Sequence, residues 1–284
     1  MERSYKVLNR RLLPWLLCFV LLCASISLFY PQIASLHAGL LTRDHRTQHY
    51  PWACFLDSAL SQGALPWWTW KIHCGFPLLA EGQIGGLYPP NLVLHLLFSA
   101  NVAYSLSFLL HLVIAGMSFV LYCKHIKLSW PSVAIAALAF LYGNAFGGAY
   151  YNFTSLKTLC WFPLSLYLID RLGDARWGKW GLFLGFVFGM QLLAGYLQLA
   201  VYGIGMSLLY FVLMRPPRKA CLGLLIALAV TTLLYLPQFA ATFPLSQMSG
   251  RVGLKESFAY LGSFPPWGIP TLILPRMQAS PVPA

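Results

Sequence analysis

The chain of 284 residues is apolar and basic: hydrophobic residues make up 58%, the mean hydropathy is +0.66, and 19 Lys and Arg stand against seven Asp and Glu. A soluble domain of this composition would lack the polar surface needed to cover itself, so the sequence predicts an integral membrane protein. Membrane topology accounts for most of the net charge of +12. We expect no nucleic-acid binding, whose usual footprint is one basic face on a soluble domain.

Apolar segments of roughly 20 residues, the length that crosses a bilayer, recur along the chain. They predict an all-α, polytopic membrane protein with about seven transmembrane helices, the first of them an uncleaved signal anchor. Because Lys and Arg near helix ends stay in the cytoplasm, the basic amino terminus is predicted to be cytoplasmic. The expected spans are 12–34, 101–123, 131–150, 154–170, 178–195, 197–214 and 220–243.

Residues 35–100 are predicted to form a long first extracytoplasmic loop, and residues 244–284 an extracytoplasmic end, of a single transmembrane module. In the loop, PWACFLDSALSQG (51–63) has the spacing of an interfacial amphipathic helix, and three tryptophans follow, as expected at headgroup level. The next segment, 73–91, is rich in Pro and Gly, and such irregular backbone cannot face lipid. We therefore expect a cleft over the outer ends of the helices.

Scarce charge is concentrated directly after the first span, in TRDHRTQHYPW (42–52). Within it His45 and His49 have a metal-compatible spacing, but the following proline and the lack of a third nearby ligand disfavour zinc. Cys54 and Cys74 lie in the same predicted loop, where an oxidising compartment permits a disulfide. The sequence leaves that disulfide open.

The order Asp44, Gln48, Tyr50-Pro51 after the first span, followed by GALPWWTW (63–70) and CGFPLLAEGQIGGLYPPN (74–91), resembles the YfhO family of bacterial membrane proteins. That family belongs to the C-type glycosyltransferases, which use polyprenyl-phosphate sugars. The resemblance implies a C-type glycosyltransferase-like module in the bacterial cytoplasmic (inner) membrane, with a glycopolymer or glycolipid of the cell envelope as acceptor. Family members are typically longer, so we expect the chain to be an amino-terminal portion.

The resemblance also implies a catalytic residue, Asp44, because it matches the acid of the first outer loop in such enzymes. Asp44 is expected to act as general base on an acceptor hydroxyl, or as ligand to a divalent cation (Mg²⁺ or Mn²⁺) at the donor phosphate. The residue types fit, since sugar transfer from a lipid phosphate needs a carboxylate at the attacked carbon and cations at the leaving phosphate. The residues predicted to bind substrate are Arg46, Lys71, Glu81, Gln83, Tyr88 and Arg251.

Other interpretations remain open from the sequence. The charged cluster around Asp44 is also explained as a solvated collar that meets lipid headgroups. A transporter or flippase of lipid-linked sugars needs polar residues inside the bilayer, and the spans offer mainly His111, Gln191 and Gln198. A neutral His111, hydrogen-bonded between helices, is favoured over a proton relay. A third alternative is an inactive truncated module or a scaffold for a partner chain.

Overall fold

The regular structure is helical throughout the described residues, apart from an isolated antiparallel bridge between Thr69 and Phe76. The chain divides into two compact units, 1–243 and 244–284. Of the second unit the structure describes residues 244–248, which complete the last helix. The structure is a computed structural model, and it describes residues 2–36, 44–72, 74–143 and 152–248, with side chains from residue 12 onward.

Three helices among the described residues are long and apolar enough to cross a membrane, through the stretches Leu12–Phe29, Ala100–His125 and Arg218–Met248. The chain is therefore a helical membrane protein. The helices are α1 (Glu2–Phe29), α2 (Pro31–Ala34), a π-helical turn (His45–His49), α3 (Tyr50–Ser61), α4 (Leu78–Glu81), α5 (Pro89–Leu97), α6 (Ala100–His125), α7 (Trp130–Tyr142), α8 (Phe153–Leu159), α9 (Phe162–Arg171), α10 (Trp177–Leu193), α11 (Leu197–Leu213) and α12 (Arg218–Met248).

Each of the seven predicted spans overlaps a helix or a pair of helices. Helices α10 and α11 have 17 residues each, near the lower limit for a span, and the number of crossings stays a prediction. The predicted span 154–170 differs from the structure, because it is divided into α8 and α9 at Cys160 and Trp161. The reason is Pro163 in the first turn of α9, which has no backbone N–H and whose ring would clash with the carbonyl of Leu159 in a continuous helix.

Helix α6 lies at the centre of the first unit and contacts α1, α5, α7, α8 and α9. Its buried residues point to several sides, as expected of a helix surrounded by others. The main cluster of buried apolar side chains forms along it and includes Leu22, Phe108, Leu112, Leu141 and Leu156. This central helix provides the floor of the site described below.

Residues 44–72 and 74–98, which we name the cap, pack over one end of the helices. The predicted amphipathic helix is α3, and its Leu56 is buried against Leu78 and Ile84 in a small apolar core of the cap. Trp67, Trp68 and Trp70, predicted to anchor at the membrane surface, are exposed. Cys54 and Cys74 are free and exposed thiols in the structure.

The cap is held to the helices by close contacts at its irregular part. Gln238 of α12 donates a hydrogen bond from Nε2 to the carbonyl oxygen of Leu79, over 2.9 Å. Between α10 and α11, Gly195 has φ +100°, and a Cβ there would lie 2.7 Å from Cα of Gln83. Only glycine combines that backbone conformation with so close an approach. The segment around Gln83 is thereby fixed against the ends of three helices.

Candidate functional site

The predicted catalytic residue, Asp44, directly precedes the π-helical turn, and its side chain is exposed and caps no backbone N–H. Arg46, on the turn itself, and Lys71, further along the cap, are also exposed. The structure records no ion pair between either of these cations and Asp44. Arg251 lies outside the described residues. Asp44, Arg46 and Lys71 thus lie on the surface of the cap, and no ion pair joins them in the described part of the chain.

Two other predicted residues, Glu81 and Gln83, form a hydrogen-bonded chain with Gln48. The backbone N–H of Gln83 donates to Oε2 of Glu81 over 2.8 Å, and its Nε2 donates to Oε1 over 2.9 Å. Gln48 donates from Nε2 to Oε1 of Gln83 over 3.2 Å. Burial raises the pKa of the Glu81 carboxyl to about 7, although the hydrogen bonds from Gln83 oppose that shift. A carboxyl that titrates near neutral pH is suited to take up or release a proton.

Tyr88, the remaining predicted substrate-binding residue, is completely buried, with 0% of its surface exposed. Its hydroxyl accepts a hydrogen bond from the indole N–H of Trp161 over 2.9 Å and bonds Nε2 of His111 over 2.7 Å. Nδ1 of His111 meets the carbonyl oxygen of Ser107, which assigns its proton to Nδ1 and leaves Nε2 to accept from Tyr88. This arrangement agrees with a neutral His111 bonded between helices, and it makes Tyr88 a connection between the cap, α6 and the start of α9.

A polar cavity of about 20 Å³ lies between the cap and helices α6 and α8. Seven of the twelve lining residues are polar or basic, and among the described residues that line it there is no Asp or Glu. It therefore combines many hydrogen-bonding groups with positive charge. The lining residues are His49, Trp52, Ala53, Leu56, Gln83, Ile84, Asn91, His95, Tyr104, Ser107, Phe153 and Lys157.

Two histidines of the cap, His49 and His95, line this cavity. His45 Nδ1 lies 2.6 Å from the hydroxyl of Tyr104. Nε2 of His49 is buried without a hydrogen-bond partner among the described residues. Burial, assisted by the nearby charge of Lys157, lowers the pKa of His49 to about 3. His95 also has a lowered pKa through burial, opposed by Asp57, whose Oδ1 lies 3.5 Å from Nδ1 without a hydrogen-bonding geometry.

Lys157 is the cation of the cavity, and only 4% of its surface is exposed. Its helix, α8, is capped by the side chain of Asn152, which accepts hydrogen bonds from the N–H groups of Thr154 and Ser155. The ammonium lies 4.9 Å from the ring centre of Phe153. No hydrogen bond or ion pair of this ammonium with another described residue is recorded.

Lys157 is a candidate functional residue that the sequence analysis missed. A usable signal was present, because the run FTSLKTL places Thr154, Lys157 and Thr158 on one face of a helix within an apolar segment. An ionisable residue inside a predicted span is a candidate functional residue by that position alone. This face and His49 line the same cavity because of the way the cap packs on the helices. No local sequence pattern predicts that packing.

A divalent cation at Asp44 was one expectation from the family resemblance. Across the described ranges, no group of three His, Cys, Asp or Glu side chains comes together in a way that holds a metal ion. The divalent cation stays a prediction from the resemblance, since Mg²⁺ is usually held by one or two carboxylates together with substrate phosphates.

Comparison of the chain with models of protein families, with curated proteins and with solved structures finds no match. The resemblance to the YfhO family therefore stays a hypothesis from sequence motifs. The argument for function rests on the cap, its carboxyls and the basic cavity beneath it.

Proposed function

We propose that the chain is a membrane glycosyltransferase that moves a sugar from a polyprenyl-phosphate donor to a cell-envelope glycopolymer or glycolipid, at the outer face of the bacterial cytoplasmic membrane. One observation carries the proposal: Gln83 lines the cavity beside Lys157 and is also hydrogen-bonded to the carboxyl of Glu81. A carboxyl that can exchange protons thus lies close to a cavity that contains a buried ammonium group. Transfer from a lipid phosphate needs both, one for the acceptor proton and one for the leaving phosphate.

In the proposed reaction the acceptor hydroxyl gives its proton to Asp44 and attacks the anomeric carbon of the donor, while the bond from that carbon to the phosphate oxygen breaks. Asp44 suits this role because it is exposed at the start of the turn whose His49 lines the cavity. Arg46, Lys71 and Arg251 are proposed to steady the donor phosphate and the acceptor. Glu81, with its pKa of about 7, is proposed to bind sugar hydroxyls and exchange protons with them.

The likeness of the cap sequence to the YfhO family supports this assignment. A membrane crossing at each of seven spans, with the amino terminus in the cytoplasm, would carry the cap to the outer face, where lipid-linked sugars are used. Positive charge at the predicted inner loops supports that orientation. Each of these points remains a proposal and is tested together with the reaction.

The direct test uses the purified full chain in lipid nanodiscs with a labelled polyprenyl-phosphate sugar and an acceptor glycolipid. We expect Asp44→Asn to reduce transfer by about 100-fold or more, the usual loss when a general base is removed. Asp174→Asn is a suitable control, because it changes a carboxylate in the turn after α9, which pairs with Arg171 and is remote from the cap. That variant should transfer at the wild-type rate.

Transfer at the wild-type rate by well-folded Asp44→Asn protein would show that Asp44 is not the base. In that case Glu81→Gln becomes the next variant, since Glu81 is hydrogen-bonded to Gln83, which lines the cavity. Movement of the labelled lipid across a vesicle membrane without any transferred product would instead indicate a transporter or flippase.

A further inference from the structure

An amino group as deeply buried as that of Lys157 is costly to charge unless a partner compensates it. Among the described residues the compensation comes from the face of the Phe153 ring, 4.9 Å away. A desolvated cation–π contact is worth about 2 kcal/mol, less than the several kcal/mol that burying a charge costs. The ammonium therefore has room for an anionic partner that the described chain does not supply.

The surroundings of Lys157 add donors and no carboxylate. His49 is 5% exposed, and its Nε2, which lines the same cavity, has no hydrogen-bond partner among the described residues. The nearest acids are held elsewhere, since Asp57 faces His95 and Glu81 accepts hydrogen bonds from Gln83. A neutral histidine that carries its proton on Nε2 can donate it to an anion at the ammonium.

The backbone of the cap leaves space beside this ammonium. Gly85 has φ +64°, and a Cβ there would lie 2.6 Å from Nδ2 of Asn91 and 3.6 Å from Nζ of Lys157. Any other residue would therefore be strained and would crowd Asn91. The cavity, at about 20 Å³, has room for a water-sized group, such as one oxygen of a larger anion, and is too small for a sugar ring.

We propose that this cavity is a binding site for a phosphoryl oxygen, held by the ammonium of Lys157 and the Nε2–H of His49. A phosphoryl group suits the site better than a carboxylate does, because lysine binds phosphate as a point charge, whereas planar carboxylates prefer the paired donors of arginine. The phosphoryl group belongs to a lipid headgroup or to free phosphate, and the experiment below distinguishes these sources. The inference extends the proposed function by naming a ligand of its site, but it is tested by binding rather than by transfer.

The test measures the melting temperature of the full chain in phosphatidylcholine nanodiscs, with either inorganic phosphate or a short-chain polyprenyl phosphate added. A ligand that binds only the folded protein raises the melting temperature, and the rise grows with the ratio of its concentration to its dissociation constant. We expect a rise for wild type and a dissociation constant about 10- to 100-fold higher for Lys157→Met, the ratio for losing one charged hydrogen bond. A rise with the lipid alone identifies a headgroup, and a rise with both probes identifies the phosphate itself.

Lys124→Met is the matched control. Lys124 already donates a hydrogen bond to the carbonyl oxygen of Leu128, over 2.6 Å, and its ammonium lies 4.5 Å from the ring centre of Trp130. We therefore expect wild-type phosphate binding in that variant. Lys157→Arg, which retains the charge, should bind phosphate more tightly than Lys157→Met does, but less tightly than wild type.

The proposal is overturned if wild type shows no rise with either probe, or if Lys157→Met and wild type show the same rise. Where Lys157→Met fails to fold, His49→Phe decides, because it keeps the lysine and replaces the second donor by an apolar ring; unchanged binding in that variant also overturns the proposal. Asp44→Asn should bind phosphate normally while failing to transfer sugar. If wild type transfers sugar but neither probe raises its melting temperature, this inference is wrong and the proposed function still stands.

Discussion

The two ends of helix α6 lie beside polar groups in opposite states of pairing. At its carboxyl end, Nε2 of His125 lies 3.1 Å from Oδ2 of Asp170, and the hydroxyl of Tyr210 donates to Oδ1 of Asp170 over 2.9 Å. At its amino end, Lys157 and His49 enter a cavity whose described lining has no acid.

A protein that needs its polar groups only for stability pairs them, because an unpaired buried group costs free energy. The carboxyl end of α6 follows that rule through Asp170. The amino end departs from it, with Lys157 and Nε2 of His49 both lacking a recorded partner among the described residues. We interpret the first end as structural and the second as a site whose partner is a ligand.

The paired end gives the largest expected effect on stability. Asp170→Asn removes the charge that holds both His125 and Tyr210, so we expect the free energy of unfolding to fall by about 2 to 3 kcal/mol. Reversible unfolding in mixed detergent micelles would measure this change. A variant as stable as wild type would contradict the structural role of this end.

At the amino end of α6, a substitution of Lys157 is expected to change the free energy of unfolding in the opposite direction. Lys157→Met replaces a buried cation by an apolar side chain of similar length, so the ligand-free protein should gain about 1 to 2 kcal/mol in its free energy of unfolding. The same unfolding experiment applies, with Lys124→Met as a control that should lose about 1 kcal/mol with its charged hydrogen bond. A loss of stability in Lys157→Met would show that the lysine has a partner within the chain.

The pH dependence of stability gives a further test and concerns Glu81. Because burial raises its pKa from 4.5 to about 7, the folded state binds the proton more tightly than the unfolded state does. The stability that this proton contributes is complete below about 4.5 and is lost as the pH rises to about 7. Melting temperatures across that window should fall less steeply for Glu81→Gln than for wild type. A wild-type slope in Glu81→Gln would show that another group causes the dependence.

Much of the helical architecture follows from the sequence alone. Apolar runs placed a helix at every predicted span, because burial of such runs in lipid or protein requires their backbone to be hydrogen-bonded internally. The cap helix Tyr50–Ser61 was predicted from its amphipathic spacing. The division between α8 and α9 was missed, although Pro163 was a local signal for it.

The candidate site was predicted less completely, because it depends on contacts between distant segments. Asp44 and Glu81 were predicted as site residues from the family resemblance, residue type and position, and their roles stay predictions. The cavity was not, since His49, Gln83 and Lys157 come from the π-helical turn, the irregular part of the cap and α8. Which of these segments meet is decided by the packing of the cap on α6, and sequence periodicity carries no information about that packing.

The most direct test is an experimental structure of the chain in nanodiscs with a short-chain polyprenyl phosphate bound. The account predicts the phosphate at the amino end of α6, with one oxygen within hydrogen-bonding distance of Nζ of Lys157 and of Nε2 of His49. A phosphate bound at the opposite end of the helix, near His125 and Asp170, would contradict it. So would a carboxylate of this chain in contact with Lys157.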